Sequence, residues 1–240
     1  MAMPSVTILV LLAFGALAVG ALWLVRRDAE RRHHAEQARW FEARARGWHY
    51  QAPQGADGGF TVRGETQGVH WEFVHVVAGE SDSAPRSRWS TTAVTARGPA
   101  FQLLGRRTYD VLRGGFGRAL VKLARWTERN GGAALAFAGQ DFVSQAQDIP
   151  VGSPAFGRAF ALIGPNPDFA RLIDAETETL LSSWPRSTGR YFSPELHLTA
   201  QLDGQGLRLE LAAPVNDIAA IEHAVRLGVA LVRRARQVKR

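Results

Sequence analysis

Three features of the chain predict an α+β protein with an N-terminal transmembrane helix and a helical stalk, followed by an antiparallel sheet covered by helices. They are a long uncharged apolar stretch near the amino terminus, paired runs of alternating apolar and polar residues, and helical spacing of apolar residues between those runs. Composition sets the frame. With 240 residues, 46% hydrophobic and 21% charged, the chain has ordinary globular usage and room for one domain or two small ones. The absence of cysteine excludes disulfide scaffolds, zinc ribbons, iron–sulfur clusters and thiol nucleophiles.

Residues 6–25 read VTILVLLAFGALAVGALWLV without one charge. At the helical rise this run spans roughly 30 Å, enough to cross a bilayer once. A cleaved secretory signal is the rival reading, since Ala16-Leu17-Ala18 has small residues of the type a signal peptidase accepts. Against it, no Lys or Arg precedes the run, which continues past Ala18 through Trp23 to Val25 before Arg26-Arg27. Arg26, Arg27, Arg31 and Arg32 follow on one side only, so the positive-inside rule places the body in the cytoplasm. These four arginines are also the expected contacts for anionic headgroups.

The expected organisation is an anchor over 1–27, a juxtamembrane helical stalk over 28–47, a strand-rich α+β region over 48–140, and a second α+β region over 141–240 ending in a basic helix. Gly47 is a natural stop for the stalk. The runs 60–65 and 69–77 flank Thr66-Gln67-Gly68 as a hairpin, followed by strands over 88–97 and 101–104. Spacing of Leu112, Phe116, Leu120, Leu123 and Trp126 predicts a helix over 108–129. Residues 155–164 read as a strand, and Asn166-Pro167-Asp168 as the start of a helix ending before Pro185. A second hairpin, with Leu196, Leu198, Leu207, Leu209 and Leu211 inward, turns at Asp203-Gly204-Gln205-Gly206, and a closing helix over 216–238 buries Ile218, Ile221, Val225, Val229 and Val232.

Candidate chemistry is thin. His70, Glu72 and His75 place a carboxylate beside imidazoles. His70 and Glu72 share a strand face, and a reading with His75 turned outward and Val76 inward requires a bulge. Arg113-Gly114-Gly115-Phe116-Gly117-Arg118 lacks the third glycine of a dinucleotide fingerprint and any Walker pair, leaving Arg113 and Arg118 as possible anion contacts. His70, His75, Arg113 and Arg118 are thus the speculative ligand-binding residues. No metal site is expected at His33-His34, because adjacent helical residues project about 100° apart. Arg233, Arg234, Arg236, Lys239 and Arg240 form a basic tail suited to a helix dipole, a lipid surface or an acidic partner.

Taken with the single anchor, the segments Ala45-Arg46-Gly47-Trp48-His49-Tyr50, the Phe60 and Trp71 hairpin, Arg88-Trp89 and Pro154-Ala155-Phe156 resemble uncharacterised bacterial single-pass membrane-anchored proteins. The resemblance implies a bacterial inner-membrane setting and carries no catalytic residues.

No nucleophile elbow, HExxH, Walker loop or kinase set occurs in the chain. The expectation is therefore a non-enzymatic interaction or accessory module. A membrane-tethered enzyme or binder of a small anionic or lipid-derived ligand is the alternative, and no cofactor is implied. Expected partners are the bilayer through residues 6–25 and a membrane protein or a second copy, the latter through a patch involving Trp48, Trp89 or Trp184. Nucleic acid is not expected, since the net charge of +7 is concentrated at the anchor flank and the tail. Protease added to intact spheroplasts is expected to leave the body uncut until lysis; digestion before lysis would reverse the orientation.

Overall fold

The computed structural model describes residues 27, 38–52, 59–76, 86–114, 146–185, 193–213, 215 and 217–238. Two compact units divide the chain, residues 1–46 and 47–240. Within the first, residues 38–45 are helical, with the Arg44 guanidinium 5.1 Å from the centre of the Trp40 ring. Gly47, at φ +73°, follows the helix. Residues 28–37 of the expected stalk lie outside the described residues, as does the span expected over 6–25, and Arg27 at the end of the expected anchor is helical. Among the described residues no helix is long and apolar enough to cross a membrane, so the anchor has no support from the structure and stands on the sequence.

The second unit is a mixed body of helices and one nine-stranded sheet, α+β in class. Its strands are β1 (His49–Gln51), β2 (Phe60–Thr66), β3 (Val69–Val76), β4 (Arg86–Thr91), β5 (Phe101–Gly105), β6 (Gln147–Ile149), β7 (Phe160–Gly164), β8 (Leu198–Asp203) and β9 (Gly206–Leu211). They are ordered β1-β2-β3-β4-β9-β8-β5-β7-β6, and every pairing is antiparallel. The β8–β9 hairpin is thus inserted between β4 and β5, joining the strands of residues 48–140 to those of 141–240 in one sheet. Residues 92–100 cross the end of this hairpin, where Ala96 N–H donates to the Asp203 carbonyl and Ala100 N–H to that of Leu202, both at 2.8 Å.

Among the described residues, five helices accompany the sheet: α1 (Arg106–Arg113), α2 (Pro154–Ala159), α3 (Ala175–Ser182), α4 (Pro194–His197) and α5 (Ile218–Val238), with a 3-10 turn at Pro167–Leu172. The long α5 packs across β3, β4 and β9, and also against α3 and the 3-10 turn. Thirteen of its 21 residues are buried, more than one apolar stripe supplies, because it is covered from both sides. Trp89, fully buried, meets α5 at Gly228, where a Cβ would lie 2.5 Å from the indole ring.

Several expectations are corrected. The strand expected over 88–97 is Arg86–Thr91, since the chain leaves the sheet to cross the hairpin end. The expected strand over 155–164 is α2 followed by β7: the Ser153 hydroxyl accepts from Phe156 N–H and Pro154 opens the first turn, so a helix precedes the strand. The single helix after Asn166 is divided. Asn166 caps the 3-10 turn, and Asp174 accepts from Thr177 N–H at 2.9 Å to start α3 anew. Helix α1 stops at Gly114, so only part of the helix expected over 108–129 is seen, and Phe116, Leu120, Leu123 and Trp126 lie outside the described residues. Leu196, expected inward with the second hairpin, belongs to α4 and is exposed.

Replacing Gly228 with alanine is expected to destabilise the fold by about 1–3 kcal/mol, because methyl and indole compete for one volume. Urea unfolding of the wild type and the variant measures this difference.

Candidate functional site

Of the sequence-predicted residues, His70 and His75 are not brought together. The β2–β3 register runs unbroken from Phe60↔His75 to Thr66↔Val69. With no bulge, alternation is strict: His75 falls on the buried face with Trp71 and Phe73, and Val76 is exposed. This reverses the reading that turned His75 outward. His70 stays on the open face, its Nε2 3.5 Å from Glu65 Oε2, and Glu72 accepts from Arg63 Nε at 2.8 Å. The two histidines therefore occupy opposite faces.

His75 Nδ1 lies 3.0 Å from the Ser87 hydroxyl, which donates to the Ala213 carbonyl at 3.1 Å and accepts from Val215 N–H at 3.0 Å. With its single proton on a backbone oxygen, that hydroxyl acts as a buried clasp between β4 and the segment after β9. Arg113 lies at the end of α1, donating to the Tyr109 hydroxyl at 3.0 Å. Arg118, Arg26, Arg31 and Arg32 lie outside the described residues, and Arg27 is exposed. The basic tail is largely committed within the unit: Arg233 and Arg234 pair with Glu176 and Asp174 at the start of α3, and Arg236 donates to the Ala93 carbonyl. Trp89 is buried, so it contributes to no surface patch.

A different site is present, a groove of about 390 Å³ between the β2–β3 turn, α3 and α5. It is lined by Thr66 and Gln67 from the turn, Glu176, Thr179 and Leu180 from α3, and Arg226, Val229 and Arg233 from α5. Leu180 and Val229 supply its apolar lining. Arg233 Nη2 reaches both oxygens of Glu176, at 2.9 and 3.0 Å, which neutralises one end. The Thr66 hydroxyl accepts from Trp71 Nε1 at 3.1 Å, and that of Thr179 donates to the Ala175 carbonyl at 2.7 Å, leaving each with spare hydrogen-bonding capacity. Gln67 and Gly68 both take positive φ, +53° and +71°, as a tight two-residue hairpin turn requires. Gly68 adopts this freely, whereas a glutamine there costs about 1 kcal/mol.

Behind the groove sits His223, buried on α5. Its Nε2–H donates to the Leu180 carbonyl at 2.7 Å, and the Trp184 ring meets it edge-on with centroids 4.6 Å apart. That tautomer leaves the Nδ1 lone pair facing Arg226 Nη2 at 3.5 Å. Burial, seconded by the Arg226 guanidinium, holds the imidazole pKa below 6.5 although the Leu180 carbonyl opposes the shift. Near neutral pH the ring is uncharged and joins two groove residues, one through its carbonyl and one through its guanidinium.

Sequence reading missed this groove. Its signals were the Gln67-Gly68 turn and the placement of Arg226 and Arg233 seven residues apart on the closing helix, but the opposing wall comes from α3, about 50 residues earlier. No family model, curated protein or solved structure matches the chain.

The depressed pKa of His223 has a signed consequence. Above pH 6.5 the imidazole is neutral in folded and unfolded chains alike; below it the unfolded chain takes up a proton that the folded one resists, and stability declines until the folded value is passed. Urea unfolding between about pH 7.5 and 5.5 is expected to show a steeper loss of stability in the wild type than in His223→Gln.

Proposed function

We propose that the chain is a single-pass bacterial inner-membrane protein, anchored by residues 6–25, whose cytoplasmic body serves as a non-enzymatic interaction or accessory module. The anchor and its orientation rest on the apolar run and the one-sided arginines. The observation that carries the interaction role is the α3–α5 groove, where an apolar lining is combined with Arg226, Gln67 and an internally neutralised Glu176–Arg233 pair. Such a surface offers area, hydrogen bonds and, in Arg226, a positive charge that makes no salt bridge among the described residues, the elements of recognition. Tethering raises the local concentration of the body toward a membrane partner, so modest affinity suffices.

The test is in-cell crosslinking, mild detergent extraction and proteomic readout for three forms: wild type, a chain with its anchor replaced by an unrelated span, and Arg226→Glu. One enriched membrane protein is expected with the first two forms and at least about fivefold less with the third, since reversing a charge within the contact opposes docking. Enrichment that follows the anchor alone, or capture of nothing but the chain itself, would remove the module reading. A small anionic or lipid-derived ligand would then be the function to pursue.

A further inference from the structure

We infer that the groove receives a short extended segment of the partner, with a carboxylate side chain on Arg226 and a neighbouring apolar side chain between Leu180 and Val229. This inference rests on the interaction-module reading and specifies the chemistry of its partner. Arg226 is exposed on α5, and among the described residues no carboxylate lies within ion-pairing distance of it. Its contact with a neutral imidazole nitrogen at 3.5 Å adds no negative charge, so among the described residues its guanidinium makes no salt bridge. Arg233, by contrast, is held by both oxygens of Glu176. One end of the groove therefore attracts an anion, while the other presents a neutral pair.

The spacing accommodates a short extended chain. Arg226 and Arg233 are seven residues apart, two turns of α5 on one face, or about 10 Å. An extended peptide advances about 3.3 Å per residue, so three residues cover that distance. Val229, one turn beyond Arg226, lies between the two ends opposite Leu180 of α3, where the residue next to the acid would rest. At the rim, Gln67 carries an amide with the same donor and acceptor groups as a peptide bond. Gln67 holds φ +53°, where glycine or asparagine is preferred, at the rim of the groove.

The test uses the full-length chain in nanodiscs of uncharged lipid and fluorescein-labelled, end-blocked peptide pools. Each pool has a fixed Glu-Leu or Gln-Leu centre and randomised flanks, and binding is read by anisotropy. The Glu-Leu pool is expected to bind about tenfold more tightly than the Gln-Leu pool, and Arg226→Ala to abolish that difference. Gln67→Gly is expected to raise Tm while weakening binding severalfold, an opposition that a purely structural role would not produce. Equal binding of the two pools, or discrimination that survives Arg226→Ala, overturns the inference. So does displacement of the peptide by hexanoate at equal concentration, which would make the groove a small-carboxylate pocket, or by anionic vesicles alone, which would make it a lipid site. If the crosslinked partner depends on Arg226 yet neither pool binds, the acidic-segment inference falls and the module reading stands.

Discussion

The indole of Trp89 abuts α5 at Gly228, and this contact sets how closely the helix approaches the sheet. A tryptophan is the bulkiest side chain that β4 can present, so a helix resting on it stands off unless it offers a gap, and a glycine is the largest gap available. Close packing lets Val225, Val229 and Val232 reach the same core as Phe73 and Leu209. The indole N–H has no hydrogen-bond partner among the described residues, a cost of about 1–3 kcal/mol that the burial of the ring offsets. Because α5 also forms one wall of the groove, this contact fixes the height of Arg226 and Arg233 relative to the β2–β3 turn.

Charge follows the same division of labour. The net excess of seven positive charges invites a surface explanation, yet Arg233 and Arg234 meet acids of α3, and Arg106 meets Asp148. Asp174 does two jobs at once. Burial alone would raise its pKa, but the N–H and hydroxyl of Thr177 and the guanidinium of Arg234 outweigh that effect and hold the carboxyl below its ordinary range. Glu210, on the opposite face of the sheet from Trp89, shows the reverse: burial raises its pKa even though Arg88, Arg208 and Arg86 pull it down. The arginine excess is thus partly a set of fasteners between elements distant in sequence.

What was legible in the sequence was whatever depends on local period. Alternation identified β2 with β3 and β8 with β9, and the stripe from Ile218 to Val232 identified α5. Short elements whose signals overlap were not. Residues 155–164 are apolar apart from Arg158 and read as one run, which masks the helix that Ser153 caps, and Asp174 was hidden inside what looked like one helix. The groove was least accessible of all. Its residues come from three segments, each unremarkable alone, and only the packing of α3 on α5 beside the β2–β3 turn makes them neighbours.

The insertion of the β8–β9 hairpin between β4 and β5 bears on how the protein is made. A ribosome that has finished β5 at residue 105 must add about 100 more residues before β9 is complete, which at 5–20 residues per second takes roughly 5–20 s. Throughout that interval β4 and β5 have open edges, with the sheet waiting for its centre rather than for a rim. Arg86 and Arg88 on β4 are exposed in the finished sheet and would act meanwhile as gatekeepers against pairing with another nascent chain. Synthesis of many copies side by side, as on one polysome, would make that protection a condition of producing the folded body at all.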